Sequence, residues 1–346
     1  MPAGKSPTGN RSVPMNKKMM LAALFSLLAL GVSAQKLSFN KEGKFKIVQF
    51  TDMHYVHGNP KSDTTLLLID RILDAEQPDM VVFTGDIVTG PVKEGWDRIT
   101  APVIDRKIPF AVTLGNHDHE QGVTREEIAK IVTTYPYNLN NPSGSNPGRV
   151  MDNVIPIYGS SRPLQACALV YCFDTGDYST MKGVSGYDWI TPEQVQWYRE
   201  QSLHYTIKNN LEPLPALAYF HIPLPEYRLA FNNEKNIRYG IRKEDECGPE
   251  LNTGMFFSMK EMGDVMATFV GHDHVNDYIV NYHGIALAYG HFSGWKTTYT
   301  PEINGARVVV LKEGERQFNT WLHQLDGAIR DSVTFPEGFI PNQEGN

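Results

Sequence analysis

The chain has 346 residues, 41% of them hydrophobic and 11% aromatic, with a formal net charge of −7 and three cysteines. This is globular composition with ample apolar material for a core, and three cysteines do not make a disulfide framework. Residues 1–34 hold four basic residues (Lys5, Arg11, Lys17, Lys18) and no acidic one, so residues 35–346 carry 28 basic against 39 acidic residues, a charge of −11. Such an acidic chain is a poor fit to nucleic acid or to an anionic membrane surface.

Met15–Ala34 reads as a secretory signal peptide. Lys17 and Lys18 form its basic start, Met19–Leu30 its apolar stretch, and Val32-Ser33-Ala34 its cleavage pattern, leaving Gln35 first. The apolar stretch falls short of the roughly 20 residues needed to span a bilayer. Residues 1–14 precede an otherwise well-formed leader, which makes Met15 an alternative start. No cysteine stands at the cleavage point, against a lipid anchor. The expected location is periplasmic or secreted, with no stable membrane insertion after cleavage.

Phe45–Phe50 reads as the first strand. Thr64–Ala75 carries Leu67, Leu68, Ile72 and Leu73 at helical spacing, with Ser62 or Asp63 as cap and Pro78 beyond its end. Met80–Phe83 then completes a βαβ unit, which implies a parallel pair. Trp96–Asp105 is the next helix, Ile108–Leu114 the third strand, and Thr124–Thr133 a helix with Thr124 as cap and Glu127 three residues on. Pro136–Pro163 is a long connection rich in Asn, Pro, Ser and Gly. Leu164–Phe173 is a strand, and Asp174–Asp188 is irregular. Cys167 and Cys172, five apart on that strand, are expected to face opposite sides, with free buried thiols preferred to a bond with Cys247. Pro192–Asn209 is a helix capped by Thr191. Ala216–Phe220 is a strand, Glu226–Asn233 a short helix and Arg238–Asn252 a charged loop. Val265–Val270, Asp277–Tyr282, Ile285–Tyr289 and Ala306–Leu311 read as strands, the last three as antiparallel hairpins, with a run near Gln317–His323 completing that sheet. The expected organisation is a leader over 1–34, one domain over 35–325 and a peripheral tail over 326–346.

Five of the apolar runs end in Asp, Asn or His. Asp52-Met53-His54, Gly85-Asp86, Gly115-Asn116-His117-Asp118, His221 and Gly271-His272-Asp273-His274 each come directly after a strand. Strand carboxyl ends are where open α/β sheets build their sites. Each of these residues alone is ordinary turn chemistry or a structural histidine; together they form a ligand set for two metals. The candidates are Asp52, His54, Asp86, Asn116, His221, His272 and His274. Imidazole with carboxylate suits iron, zinc or manganese better than calcium. Asp86, which alone ends the second strand, is the natural bridge between two ions. His117 stands next to a ligand without needing to be one, and is the candidate general acid; Asp118 is expected to orient its imidazole. His57, His119, His291, Tyr178, Tyr187 and Trp189 are weaker candidates for the substrate mouth.

These motifs, in this order, resemble those of the calcineurin-like metallophosphoesterases: DxH, GDx, GNHD/E, a lone His and GHxH. Ala218–Tyr227 (AYFHIPLPEY), Asp174–Ser179 (DTGDYS) and Gly186–Trp189 (GYDW) look like the branch related to purple acid phosphatases. The resemblance implies an α/β fold, a four-layer α/β/β/α sandwich of two mixed sheets with outer helices. It implies two transition metals, one held by Asp52, His54, Asp86 and His274, the other by Asp86, Asn116, His221 and His272. It also implies in-line attack by a metal-bound hydroxide on a phosphate ester, since no serine or cysteine nucleophile elbow is present. Thr89 stands where the purple enzymes carry a tyrosinate ligand, which leaves the metal identity open. A phosphomonoesterase is the first expectation. The alternatives are a phosphodiesterase on cyclic nucleotides or lipid headgroups, and a non-catalytic metal-binding interaction module. The completeness of the site weighs against the last.

Overall fold

A computed structural model describes residues 36–141, 149–299, 302 and 304–340, together with Met1 and Gly4. The signal-peptide stretch 15–34 and the segment 142–148 lie outside the described residues. Among the described residues no helix is long and apolar enough to cross a membrane.

Among the described residues, thirteen strands form two mixed sheets. The first contains β1 (Lys44–Phe50), β2 (Met80–Thr84), β3 (Phe110–Thr113), β11 (Gly305–Lys312), β12 (Phe318–Gln324) and β13 (Ile329–Phe335), in the order β13-β12-β11-β1-β2-β3. β1, β2 and β3 are parallel, and β11 runs antiparallel to β1 with Ile47 opposite Val309. The second contains β4 (Asn153–Tyr158), β5 (Ala166–Cys172), β6 (Ala216–Tyr219), β7 (Arg238–Tyr239), β8 (Val265–Val270), β9 (Ile279–Tyr282) and β10 (Ile285–Tyr289), in the order β4-β5-β6-β8-β10-β9-β7. Its central strands β5, β6, β8 and β10 are parallel.

The sheets pack face to face. Ile47, Met80, Val82 and Ala111 of one meet Val170, Leu217, Phe269 and Ala288 of the other in a central core. Alternate residues point outward. Val48, Phe50, Val81 and Phe83 bury against the helices α1 (Asp63–Glu76), α2 (Val92–Asp105) and α3 (Arg125–Val132). Leu169, Tyr171, Ala216 and Ala218 bury against α4 (Pro192–Lys208), α5 (Glu226–Asn232) and α6 (Met255–Met262). This is the expected α/β/β/α sandwich. Burial on both faces explains why the parallel strands read as unbroken apolar runs. Two helices start as the sequence indicates, with capping boxes formed by Thr124 with Glu127 and by Thr191 with Gln194.

Several expectations need correction. Pro136–Pro163 is not wholly irregular, because Asn153–Tyr158 is the edge strand β4. Arg238–Asn252 includes the two-residue strand β7, and the helix Met255–Met262 is an element that the sequence pattern does not reveal. The last strands do not form one sheet: β9 and β10 stay in the second sheet, whereas β11 and β12 cross to the first. Within the expected tail 326–346, the described residues 326–340 are not simply peripheral, since β13 pairs with β12 and buries Val333 and Phe335. Cys167 and Cys172 do not face opposite ways. A register shift near Tyr158 adds a residue to β5, and both sulfurs enter the central core. All three cysteines are free, but Cys247 is exposed rather than buried.

Candidate metal centre

All five strand-end motifs meet at the carboxyl ends of β1, β2, β3, β6 and β8. Close packing there explains the glycines. A Cβ on Gly115 would stand 2.2 Å from Asp86 Oδ1, and one on Gly271 would stand 2.0 Å from Thr51 Oγ1 and 2.5 Å from Asp52 Oδ2. Only glycine leaves room for the carboxylates. The backbone turns sharply where it presents its ligands. Asp52, His54, Asp86 and His272 all have left-handed φ values, of 53°, 42°, 54° and 77°. Such conformations are uncommon for residues with a Cβ and concentrate at functional sites.

Two groups of ligand atoms result. Asp52, His54 and His274 form one, and Asp86, His221 and His272 form the other; within each, the donor atoms lie within 4.8 Å of one another. Asp86 faces both groups, with Oδ2 at 3.7 Å from His54 Nε2 and 3.1 Å from His221 Nε2. The imidazoles are aimed by their other nitrogens. His221 Nδ1 lies 2.8 Å from the Thr84 carbonyl and His274 Nδ1 lies 2.8 Å from the Tyr299 carbonyl. Each ring therefore donates its Nδ1 proton backward and turns its Nε2 inward. Asp52 is fixed by the His272 amide and the Thr51 hydroxyl.

The inward atoms lack partners of the right kind. Asn116 Oδ1 and His272 Nε2 are buried without a hydrogen bond. His54 Nε2 and His274 Nε2 face each other at 3.1 Å, two nitrogens of which both would be acceptors if both rings donate backward. Unpaired buried polar atoms are costly, and a cation in each group would satisfy them. Charge state agrees. Burial lowers His54 to about 3 and holds His272 well below the ordinary imidazole value, so both are neutral, the ligating form. Burial also pushes His221 down, but Asp86 beside it outweighs this and lifts it to about 9. Two Asp/His groups of this make fit a dinuclear metal centre. Asp52, His54, Asp86 and His274 would hold one ion, and Asp86, Asn116, His221 and His272 the other.

His117 sits beside the groups. Its ring centroid is 5.4 Å from that of His54, and its amide donates to Asp86 Oδ1 at 2.8 Å. The expectation for Asp118 is overturned. Its buried carboxylate does not touch the His117 ring; it accepts the amides of Asp86, Ile87, Val88 and Gly115 at 2.8–3.2 Å. Asp118 clamps two ligand-bearing loops together. Glu120 holds the imidazole instead, with Oε2 at 2.7 Å from His117 Nδ1. The spacing of three residues is visible in the sequence, but the adjacent Asp118 is the more obvious partner.

The other candidates divide. Tyr178 reaches Asn116 Nδ2 with its hydroxyl at 3.2 Å, and Tyr187 packs edge-on against His272 at 4.3 Å. His119 pairs with Asp177 at 3.0 Å. His57 is exposed, His291 is buried beside Asp277 at 3.4 Å, and Trp189 lines a separate small cavity with Ile222 and Leu224. Sequence reasoning misses Tyr299. It stacks on His274 at 4.1 Å from a loop 25 residues away, and no motif marks it.

Residues 45–276 match the calcineurin-like phosphoesterase family model. The chain is 34% identical to "probable inactive purple acid phosphatase 29" of Arabidopsis thaliana, over 87% of this chain and 84% of that protein. It is 31% identical to the phosphatase DCR2 of Saccharomyces cerevisiae, over 87% of this chain and 57% of that protein. A crystal structure of a dimetal phosphatase from Danio rerio superposes with a TM-score of 0.57 at 13% identity, covering 84% of this chain and 98% of that one, a likeness of fold. The chain belongs to the calcineurin-like phosphoesterase family and is related to the purple acid phosphatases.

Proposed function

We propose that this protein is a metal-dependent phosphomonoesterase, exported from the cytoplasm by its leader. One observation carries the reading: Asp86, a member of one Asp/His group, also faces the other, and a histidine held by a carboxylate stands beside them. The "probable inactive" in the Arabidopsis relative's name makes catalysis the point to be tested. Metal ions in the two groups would supply Lewis acidity and lower the pKa of water. The chain's own residues do the rest. Asp52, Asp86, Asn116 and the four histidines would hold the ions, with Asn116 Nδ2 tied to Tyr178. The burial of this ligand set limits bulk water. With its ring protonated on both nitrogens, His117 would donate Nδ1–H to Glu120 and give its Nε2 proton to the departing alkoxide, leaving a neutral imidazole. Asp118 holds the Asp86 and Gly115 loops in register.

A monoester dianion gains more from two cations than a diester monoanion does. The reading is tested by kcat/KM for matched aryl monoester and diester substrates with the same metal. The monoester is expected to be faster. A ratio favouring the diester would replace this reading with the phosphodiesterase one, and hydrolysis of neither would favour a non-catalytic module.

A further inference from the structure

Three tyrosines touch ligating residues but are not themselves part of either group. Tyr178 meets Asn116 through its hydroxyl, Tyr187 lies edge-on to His272, and Tyr299 stacks on His274 with its ring 13° from parallel. Tyr178 and Tyr187 also stack on each other at 5.6 Å. They form a bridged pair across a narrow loop, pinned by the Ser179 amide to the Gly186 carbonyl and the Asp188 amide to the Asp177 carbonyl. Despite these contacts, Tyr178 is 41% exposed and Tyr299 53% exposed. Ring surface is thus held rigidly in the open beside the centre, from two separate loops.

The polar ends of the rings are already engaged. The Tyr178 hydroxyl is shared between Asn116 and Glu120, and the Tyr299 hydroxyl lies 3.3 Å from the Glu244 carboxylate. Hydroxyls so occupied are poorly placed to bind a polyol. Nor are the neighbouring carboxylates free for a cation. Glu120 holds His117 and Tyr178, and Glu244 accepts the Val275 amide and faces Tyr299. What remains on offer is flat apolar surface, which favours a flat apolar group by burial and by ring stacking.

We propose that Tyr178, Tyr187 and Tyr299 form an aromatic collar that receives the alcohol half of the substrate and selects phosphomonoesters of aromatic alcohols. The inference rests on the phosphomonoesterase reading for its substrate, but is tested by binding alone. The probes are phenylphosphonate, methylphosphonate and 2-aminoethylphosphonate, which share a head group and cannot be hydrolysed. Calorimetry on the metal-loaded protein gives the ratio of their dissociation constants. Phenylphosphonate is expected to bind about tenfold more tightly than methylphosphonate. The ratio is expected to fall toward one in Tyr187→Leu and in Tyr299→Leu, which sits on the other loop, and to persist in Tyr187→Phe and Tyr299→Phe. The Phe variants separate loss of the ring from loss of the fold. Equal binding of the two probes, or an unchanged ratio in both Leu variants, overturns the proposal. Tightest binding of 2-aminoethylphosphonate also overturns it and makes the collar a cation site. A sample that prefers phenylphosphonate yet hydrolyses no aryl phosphate would refute the phosphomonoesterase reading and leave the collar standing.

Discussion

His117 Nδ1 lies 2.7 Å from Glu120 Oε2, three residues further along the chain. An ionised carboxylate only accepts, so the ring donates its Nδ1 proton to Glu120, and the proton for the leaving group is the one a protonated ring carries on Nε2. His117→Ala is therefore expected to lower kcat on the order of 10²–10⁴-fold without changing metal content. The loss should shrink for leaving groups that need no proton. Glu120→Gln should give a smaller loss with the same dependence on leaving group. Equal losses for good and poor leaving groups would remove His117 from this role.

Asp118 has a different outcome because it touches no imidazole. Its carboxylate accepts four backbone amides from two loops. Asp118→Ala leaves these donors buried and unpaired, which costs on the order of 3 kcal/mol or more. Unfolding in urea should show that loss, and metal content should fall with it. A variant of native stability that loses only turnover would restore the orienting role expected from its place next to His117.

The contrast between Asp118 and Glu120 marks where sequence is informative and where it is not. The seven candidate ligand residues are legible because parallel strands buried on both faces must show unbroken apolar runs, and a polar residue at the end of such a run stands out. Partners set by side-chain direction are not legible. Asp118 and Glu120 both lie near His117 in sequence, and only the fold decides that one turns into the loops and the other toward the ring. Tyr299 reaches His274 through tertiary packing alone. The β13 strand reads as a tail because Ile329–Phe335 is an edge strand with few buried residues. Helix α6 has glycine at both ends, Gly254 and Gly263, and no side-chain cap to announce it. The crossing of β11 into the first sheet comes from its pairing with β1, which strand patterns do not encode.

Glu76 gives a test by pH. At the end of α1 it accepts Trp321 Nε1 at 2.9 Å, His323 Nδ1 at 2.6 Å and Lys46 Nζ at 2.9 Å, tying the helix to β12 and β1. Burial raises its pKa, but the bonds from Trp321, His323 and Lys46 outweigh that and lower it. A depressed folded pKa means the stabilisation is complete above the unfolded value of about 4.3 and is lost as pH falls through the folded value. Metal-free protein should therefore lose more unfolding free energy between pH 6 and pH 3 than metal-free Glu76→Gln does. Equal losses would contradict the linkage.

Colour tests the ligand set. Thr89 occupies the place of the tyrosinate, and the Tyr178 hydroxyl is engaged by Asn116 and Glu120. Burial raises the Tyr187 phenol to about 12, which disfavours a phenolate there. An iron-loaded sample should lack a purple charge-transfer band. A strong band that disappears in Tyr178→Phe or Tyr187→Phe would show that a tyrosinate ligates from another position.

The decisive measurement is the rate of aryl phosphomonoester hydrolysis as metal is returned to chelator-stripped protein, plotted against ions bound per chain. The rate should be negligible without metal and should level off near two ions per chain. Asp86→Ala should fail to recover, since Asp86 faces both groups. Full activity in metal-free protein, or no hydrolysis with two ions bound, would contradict a dinuclear phosphomonoesterase.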